Sequence, residues 1–129
     1  MAVTLSEKEF EVAESCLADA KLLLHSGGSL RSAVNRIYYA VFHAAKAVLI
    51  RMKLEPKTHK GTIYLFINHI AKKGLCSKES AKMLSKAFKL REESDYDVFA
   101  PIDPEEVGKL LLQSEKFLRE MKSIFVKNV

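Results

Sequence analysis

The stretch Ser29–Met52, SLRSAVNRIYYAVFHAAKAVLIRM, constrains the fold more than any other part of the chain. It holds neither proline nor glycine, and its alanines, leucines and valines suit one long helix. At about 100° per residue, Ala33, Val34, Ile37, Val41, Ala44, Ala45 and Val48 share one broad face. Arg36, Tyr39 and His43 share the opposite face, yet Ala40, Ala47 and Ile50 flank them. A helix that is apolar nearly all round sits at the centre of its fold, with neighbours on several sides. The three polar residues are therefore expected to face a groove or a second subunit rather than open water.

The flanking segments supply the neighbours. Thr4-Leu-Ser-Glu7 has the form of a capping box, and Phe10, Ala13, Leu17, Ala20 and Leu24 keep a helical stripe until Gly27-Gly28 breaks it. Ser29 can cap the central helix, and Thr58 a third one carrying Ile63, Phe66, Ile67 and Ile70 and ending near Gly74. Ser77 opens a fourth helix with a Leu84, Ala87, Phe88 stripe. Asp103-Pro104-Glu105-Glu106 combines a capping aspartate, proline at the first position and acids at the positive end of the dipole. The fifth helix then carries Val107, Leu110, Leu111, Phe117, Leu118, Met121 and Phe125. No apolar–polar alternation bounded by hairpin turns occurs. The expected fold is all-α, an antiparallel up-and-down bundle of about five helices.

At 129 residues the chain fits a single domain spanning 1–129. Its 48% hydrophobic and 29% charged residues indicate a globular protein, and no apolar run approaches the roughly 18 residues a bilayer span needs. The N-terminus is acidic where a secretion signal is basic, so a cytoplasmic location and no membrane association are expected. A formal net charge of +5 permits a polyanionic partner without demanding one. Cys16 and Cys76 form neither a metal pair nor a disulfide framework, and the four histidines lack partners at ligand spacing. No metal or cofactor is expected.

Continuing the fourth helix's stripe past Phe88 reaches Arg91 and Asp95, with Tyr96 next. Two opposite charges extending a core face read either as an ion pair closing the bundle or as a pocket for phosphate or ribose. Arg36 and His43 are equally open. They could bracket one phosphodiester, with the histidine as general base and the arginine stabilising a pentacoordinate phosphorus. Alternatively, His43 bonds a neighbouring helix and Arg36 a carboxylate such as Asp95. His59, between Lys57 and Lys60 at a helix start, is either an anion contact or an ordinary surface histidine. Lys78, Lys82, Lys86 and Lys89 could track a nucleic-acid backbone or form a solvated face.

The segment NRIYYAVFHAAKAVL, followed by KTHKG and then LREESDYD ahead of an amphipathic last helix, resembles the HEPN superfamily, in its branch of small prokaryotic proteins. The resemblance runs from about Leu5 to Phe125. It implies a helical bundle, commonly a homodimer with a cleft near the subunit interface. It also implies a minimal nucleotidyltransferase as partner in a toxin–antitoxin-type module. Many members are metal-independent ribonucleases with an Arg-polar-x(4–6)-His motif in a late helix. Arg91-Glu92 matches the start of that motif; no histidine follows it, and Asp95-Tyr96 stands nearby. The resemblance thus places Arg91 and, from the second helix, His43 as catalytic candidates. Arg36, Tyr39, His59, Asp95 and Tyr96 are candidates for nucleotide or RNA binding. A non-catalytic, dimeric binding bundle is the alternative.

Overall fold

The computed structural model describes residues 2–128. They form five helices, α1 (Leu5–His25), α2 (Leu30–Arg51), α3 (His59–Phe66), α4 (Lys78–Tyr96) and α5 (Pro104–Lys127), with no strand among the described residues. A π-turn, Ile67–Ala71, prolongs α3. Every helix starts at the cap read from sequence. The side-chain oxygens of Thr4, Ser29, Thr58, Ser77 and Asp103 accept from the amides of Glu7, Ser32, Gly61, Ser80 and Glu105, at 2.8–3.2 Å.

Three helical segments end in the same way, with one residue in the left-handed region. Gly27 (φ 72°) follows α1 and Gly74 (φ 68°) follows the π-turn, where a residue without Cβ costs nothing. The third such position is Lys53, at φ 69° after α2. There the amides of Lys53 and Leu54 bond the carbonyls of Ile50 and Leu49, both at 3.0 Å, as in a Schellman turn.

α2 touches all four other helices. Twelve of its residues are buried, among them Ile37, Tyr38, Val41, Val48 and Leu49. Ala13 and Ala20 of α1 and Ala33, Ala40, Ala44 and Ala47 of α2 are fully buried. The lack of bulk there lets α1 lie close along α2. Pairings fix the directions. Between α1 and α2, Glu9 meets His43 and Cys16 meets Arg36; between α4 and α5, Ser77 meets Glu120 and Lys86 meets Gln113. In both cases one number rises as the other falls, so each pair is antiparallel. Where the chain ends converge, the Arg51 guanidinium lies 3.7 Å from the Phe125 ring centroid and donates to Ser6 Oγ and the Phe125 carbonyl, each at 3.4 Å. That clamp joins α1, α2 and α5.

Glu120 of α5 ties down the start of α4. Its carboxylate accepts from the Ser77 amide (2.7 Å), the Ser77 hydroxyl (2.9 Å) and the Ser80 hydroxyl (2.6 Å). Burial raises the pKa of Glu120, but the hydrogen bonds from Ser80 and Ser77 and the charge of Lys116 outweigh it and hold the carboxyl below its ordinary 4.5. A depressed folded pKa favours folding above the unfolded value. The Glu120 contribution is therefore complete above about pH 4.5 and is lost as pH falls through the lower, folded value. Glu120→Gln should cost about 1–3 kcal/mol at neutral pH, from one weakened set of charge-assisted bonds. It should also flatten the acid limb of stability against pH; a parallel acid limb in denaturant titrations would refute this role. Lys53→Gly, which relieves the left-handed strain, should raise stability by roughly 0.5–1 kcal/mol.

Candidate functional site

Most of α2 is buried, and Arg36, Tyr39, His43 and Lys46 form its half-exposed strip, at steps of three, four and three. The ring of Tyr39 is the hub. Around its centroid stand the Arg36 guanidinium at 5.4 Å, the Arg91 guanidinium at 6.0 Å, the His43 ring at 6.0 Å and the His59 ring at 5.9 Å. Residues from α2, α3 and α4 thus meet beside one aromatic side chain. Four candidates named from sequence surround a fifth.

Arg91 lies over aromatic faces, with its guanidinium carbon 4.8 Å from the Tyr38 centroid and 5.5 Å from that of Phe88. Its NH1 donates to Asp95 Oδ2 at 3.2 Å, while its Nε is buried with no hydrogen-bond partner among the described residues. The stripe of α4 departs from expectation here. Ser94, not Asp95, is the next buried member, and its hydroxyl donates to the Arg91 carbonyl at 3.0 Å. The Asp95 side chain is 47% exposed. The Arg91–Asp95 pair is consequently a surface-screened contact worth about 0–1 kcal/mol rather than a buried ion pair. Tyr96, 95% exposed, joins none of these contacts. With Arg91, Glu92, Glu93 and Asp95 it lines an open groove of about 570 Å³.

His43 bonds a neighbouring helix, the alternative raised from the sequence, although the particular partner was not indicated there. Its Nδ1 lies 2.5 Å from Glu9 Oε2 of α1, and Lys46 Nζ lies 3.2 Å from the other oxygen of that carboxylate. The carboxylate can only accept, so a neutral His43 carries its proton on Nδ1 and presents an unprotonated Nε2. Glu9 and His43 are thirty-four residues apart, and no local spacing connects them.

His59 is the first residue of α3, but it is not an ordinary surface histidine. Its ring stacks on Phe42, with centroids 4.4 Å apart and planes at 17°, and its Nδ1 lies 2.6 Å from the Tyr38 hydroxyl. Burial first, then the positive charges of Arg91 and Lys46 and, when it is protonated, the His43 ring, push its pKa below the ordinary 6.5. Burial likewise pushes the Tyr38 phenol up, against the opposing pull of Arg91. At neutral pH the pair is an uncharged hydrogen bond inside an aromatic stack. Tyr38 was not among the sequence candidates, because its position in the Tyr-Tyr doublet faces the core.

Arg36 does not reach Asp95. Its Nε and NH2 donate to Asn35 Oδ1 at 3.2 and 2.7 Å, and its NH1 to Cys16 Sγ at 3.7 Å. Lys78, Lys82, Lys86 and Lys89 are all exposed and form a solvated face. Among the described residues no three His, Cys, Asp or Glu side chains gather as a metal site, and no helix is long and apolar enough to cross a membrane.

Comparison with known proteins bears on this geometry. A UPF0332 protein of Archaeoglobus fulgidus is 38% identical over 122 residues, covering 95% of this chain and 96% of that one. A UPF0332 protein of Thermotoga maritima is 36% identical over 112 residues, covering 87% and 84%. A protein of Methanocaldococcus jannaschii bearing the name "putative toxin" is 35% identical over 112 residues, covering 87% and 82%. The HEPN domain family matches residues 6–124. That match reaches into all five helices and takes in the whole Tyr39-centred cluster, and the chain belongs to the HEPN domain family.

Proposed function

We propose that this chain is the HEPN component of a toxin–antitoxin-type module and that its Tyr39-centred site binds RNA and cleaves it without metal. The observation that carries the reading is the Glu9–His43 bond, which leaves His43 Nε2 free beside the ring that also carries Arg91 and Arg36. Names borne by relatives, two of them "putative toxin", support the module. In this reading His43 Nε2 takes the proton of a 2′-hydroxyl as its oxygen attacks the adjacent phosphorus. Arg91, with Arg36, holds the charge that develops on the phosphoryl oxygens. The bond to the 5′-oxygen breaks, that oxygen takes a proton from solvent, and a 2′,3′-cyclic phosphate remains. His43 on α2 replaces the histidine that does not follow Arg91. The antitoxin partner would be a minimal nucleotidyltransferase, and the working unit a homodimer.

A second reading, a non-catalytic dimeric binding bundle, draws on a different observation. The Arg91 guanidinium is already stacked on Tyr38 and Phe88 and tied to Asp95, as a structural arginine would be. A cleavage assay on single-stranded and structured RNA, in chelator, separates the two. His43→Ala and Arg91→Ala should each lower cleavage by roughly a hundredfold or more, with the folded helical content retained. Glu9→Gln should lower it less, by about tenfold or more, because Nε2 is retained while its orientation is loosened. Persistence of cleavage in both alanine variants would overturn the assignment, and no cleavage by the wild type would favour the binding bundle.

A further inference from the structure

Beside the Tyr39 cluster, toward the start of α2, lies a separate cavity of about 320 Å³ lined by Leu23, Arg31, Ser32, Asn35, Arg36 and Asp95. Two guanidiniums share it, and neither is within ion-pair distance of a carboxylate among the described residues. Arg31 uses NH2 to donate to the Val98 carbonyl at 3.3 Å; its NH1 is buried with no partner among the described residues. Arg36 is oriented by Asn35 and borders both this cavity and the Tyr39 ring. The one acid present, Asp95, already accepts from Arg91. Two positive charges therefore line the cavity without a carboxylate of their own, and one Arg31 N–H is left without an acceptor among the described residues.

We infer that this cavity is a second phosphate subsite, so that the ligand is a polynucleotide strand rather than a mononucleotide. The inference rests on the Tyr39 site taking RNA phosphate. Arg31 and Arg36 are five residues apart on α2, a rise of about 7.5 Å along the helix axis, and Arg36 also borders the Tyr39 ring, so the cavity adjoins the Tyr39 site. A strand whose reacting phosphate lies by His43, Arg91 and Arg36 places its neighbouring phosphate against Arg31, with the Ser32 hydroxyl as a further donor and Arg36 at the border of the two. Guanidinium suits the task because its planar donors match phosphate oxygens. Arg31 is then a binding residue that also holds the α4–α5 connection through Val98.

The test compares two probes on the full chain by fluorescence or calorimetric titration: a 2′-O-methyl oligouridylate about eight nucleotides long, which lacks the attacking hydroxyl, and uridine 3′-monophosphate. Wild type should bind the oligonucleotide more tightly. Arg31→Gln should weaken oligonucleotide binding by roughly tenfold, leave the mononucleotide within about twofold, and lower the salt slope by about 0.7, one single-strand phosphate contact. Arg31→Lys, which keeps the charge, should retain the wild-type salt slope, and thermal melting of both variants monitors the loss of the Val98 bond. Equal loss on both probes, or no loss on the longer one, would overturn the subsite. Failure of the wild type to bind either probe would overturn the RNA reading beneath it, and the subsite with it.

Discussion

The structure depends on the burial of α2 from every side but one. Ile37, Tyr38, Val41, Val48 and Leu49 fill the centre, and the alanines between them let neighbouring helices close in. Each large apolar side chain removed from water contributes roughly 1.5–3 kcal/mol before conformational entropy is subtracted. A helix held this way has one strip left where polar groups can stand, and Arg36, Tyr39, His43 and Lys46 occupy it. Fixing the core therefore also fixes the relative positions of the cationic and aromatic groups at the surface. Rigid backbone beneath a polar strip is what a binding site needs.

Electrostatics around that strip follow from its aromatic walls. Tyr38, Phe42 and His59 exclude water on one side, so a proton on His59 is disfavoured by burial and by the neighbouring cations Arg91 and Lys46. His43, two helical turns from Arg36 on the same strip, has the opposite surroundings, because Glu9 supplies a negative charge in contact with its ring. Two imidazoles close to one tyrosine are thus held in different chemical roles. One is a stacking and hydrogen-bonding surface, and the other is a ring with a fixed orientation and an open nitrogen. The difference comes from α1 rather than from anything in α2 itself.

That origin explains which parts were legible in the sequence. Helix number, caps and apolar stripes are local properties, and Thr4, Ser29, Thr58, Ser77 and Asp103 each perform the capping read from their context. The helical strip bearing Arg36, Tyr39 and His43 was likewise legible from period alone. Arg91 joined it through the order of three motifs. Contacts between distant segments left no such trace. Glu9 on His43, Tyr38 on His59 and Glu120 on Ser77 each depend on how whole helices settle against one another. The stripe of α4 misled at its end, where a step of three to Ser94 put the serine inward and left Asp95 and Tyr96 in solvent.

Two arginines show how the two ends of the bundle differ. At the end where the chain termini meet, Arg51 covers the Phe125 ring, and its donors reach Ser6, the Phe125 carbonyl and Glu7. Its polar capacity is spread over two other helices, α1 and α5, and the result is a closed seam. At the other end Arg91 covers Tyr38 in the same manner, but among the described residues only NH1 has an acceptor, and that acceptor sits at the solvent edge. Arg31 nearby is also incompletely used. Stacking on an aromatic face holds a guanidinium in place without consuming its hydrogen bonds. Used once with several partners and once with a single exposed one, the same contact seals one end of the bundle and leaves guanidinium donors unspent at the other.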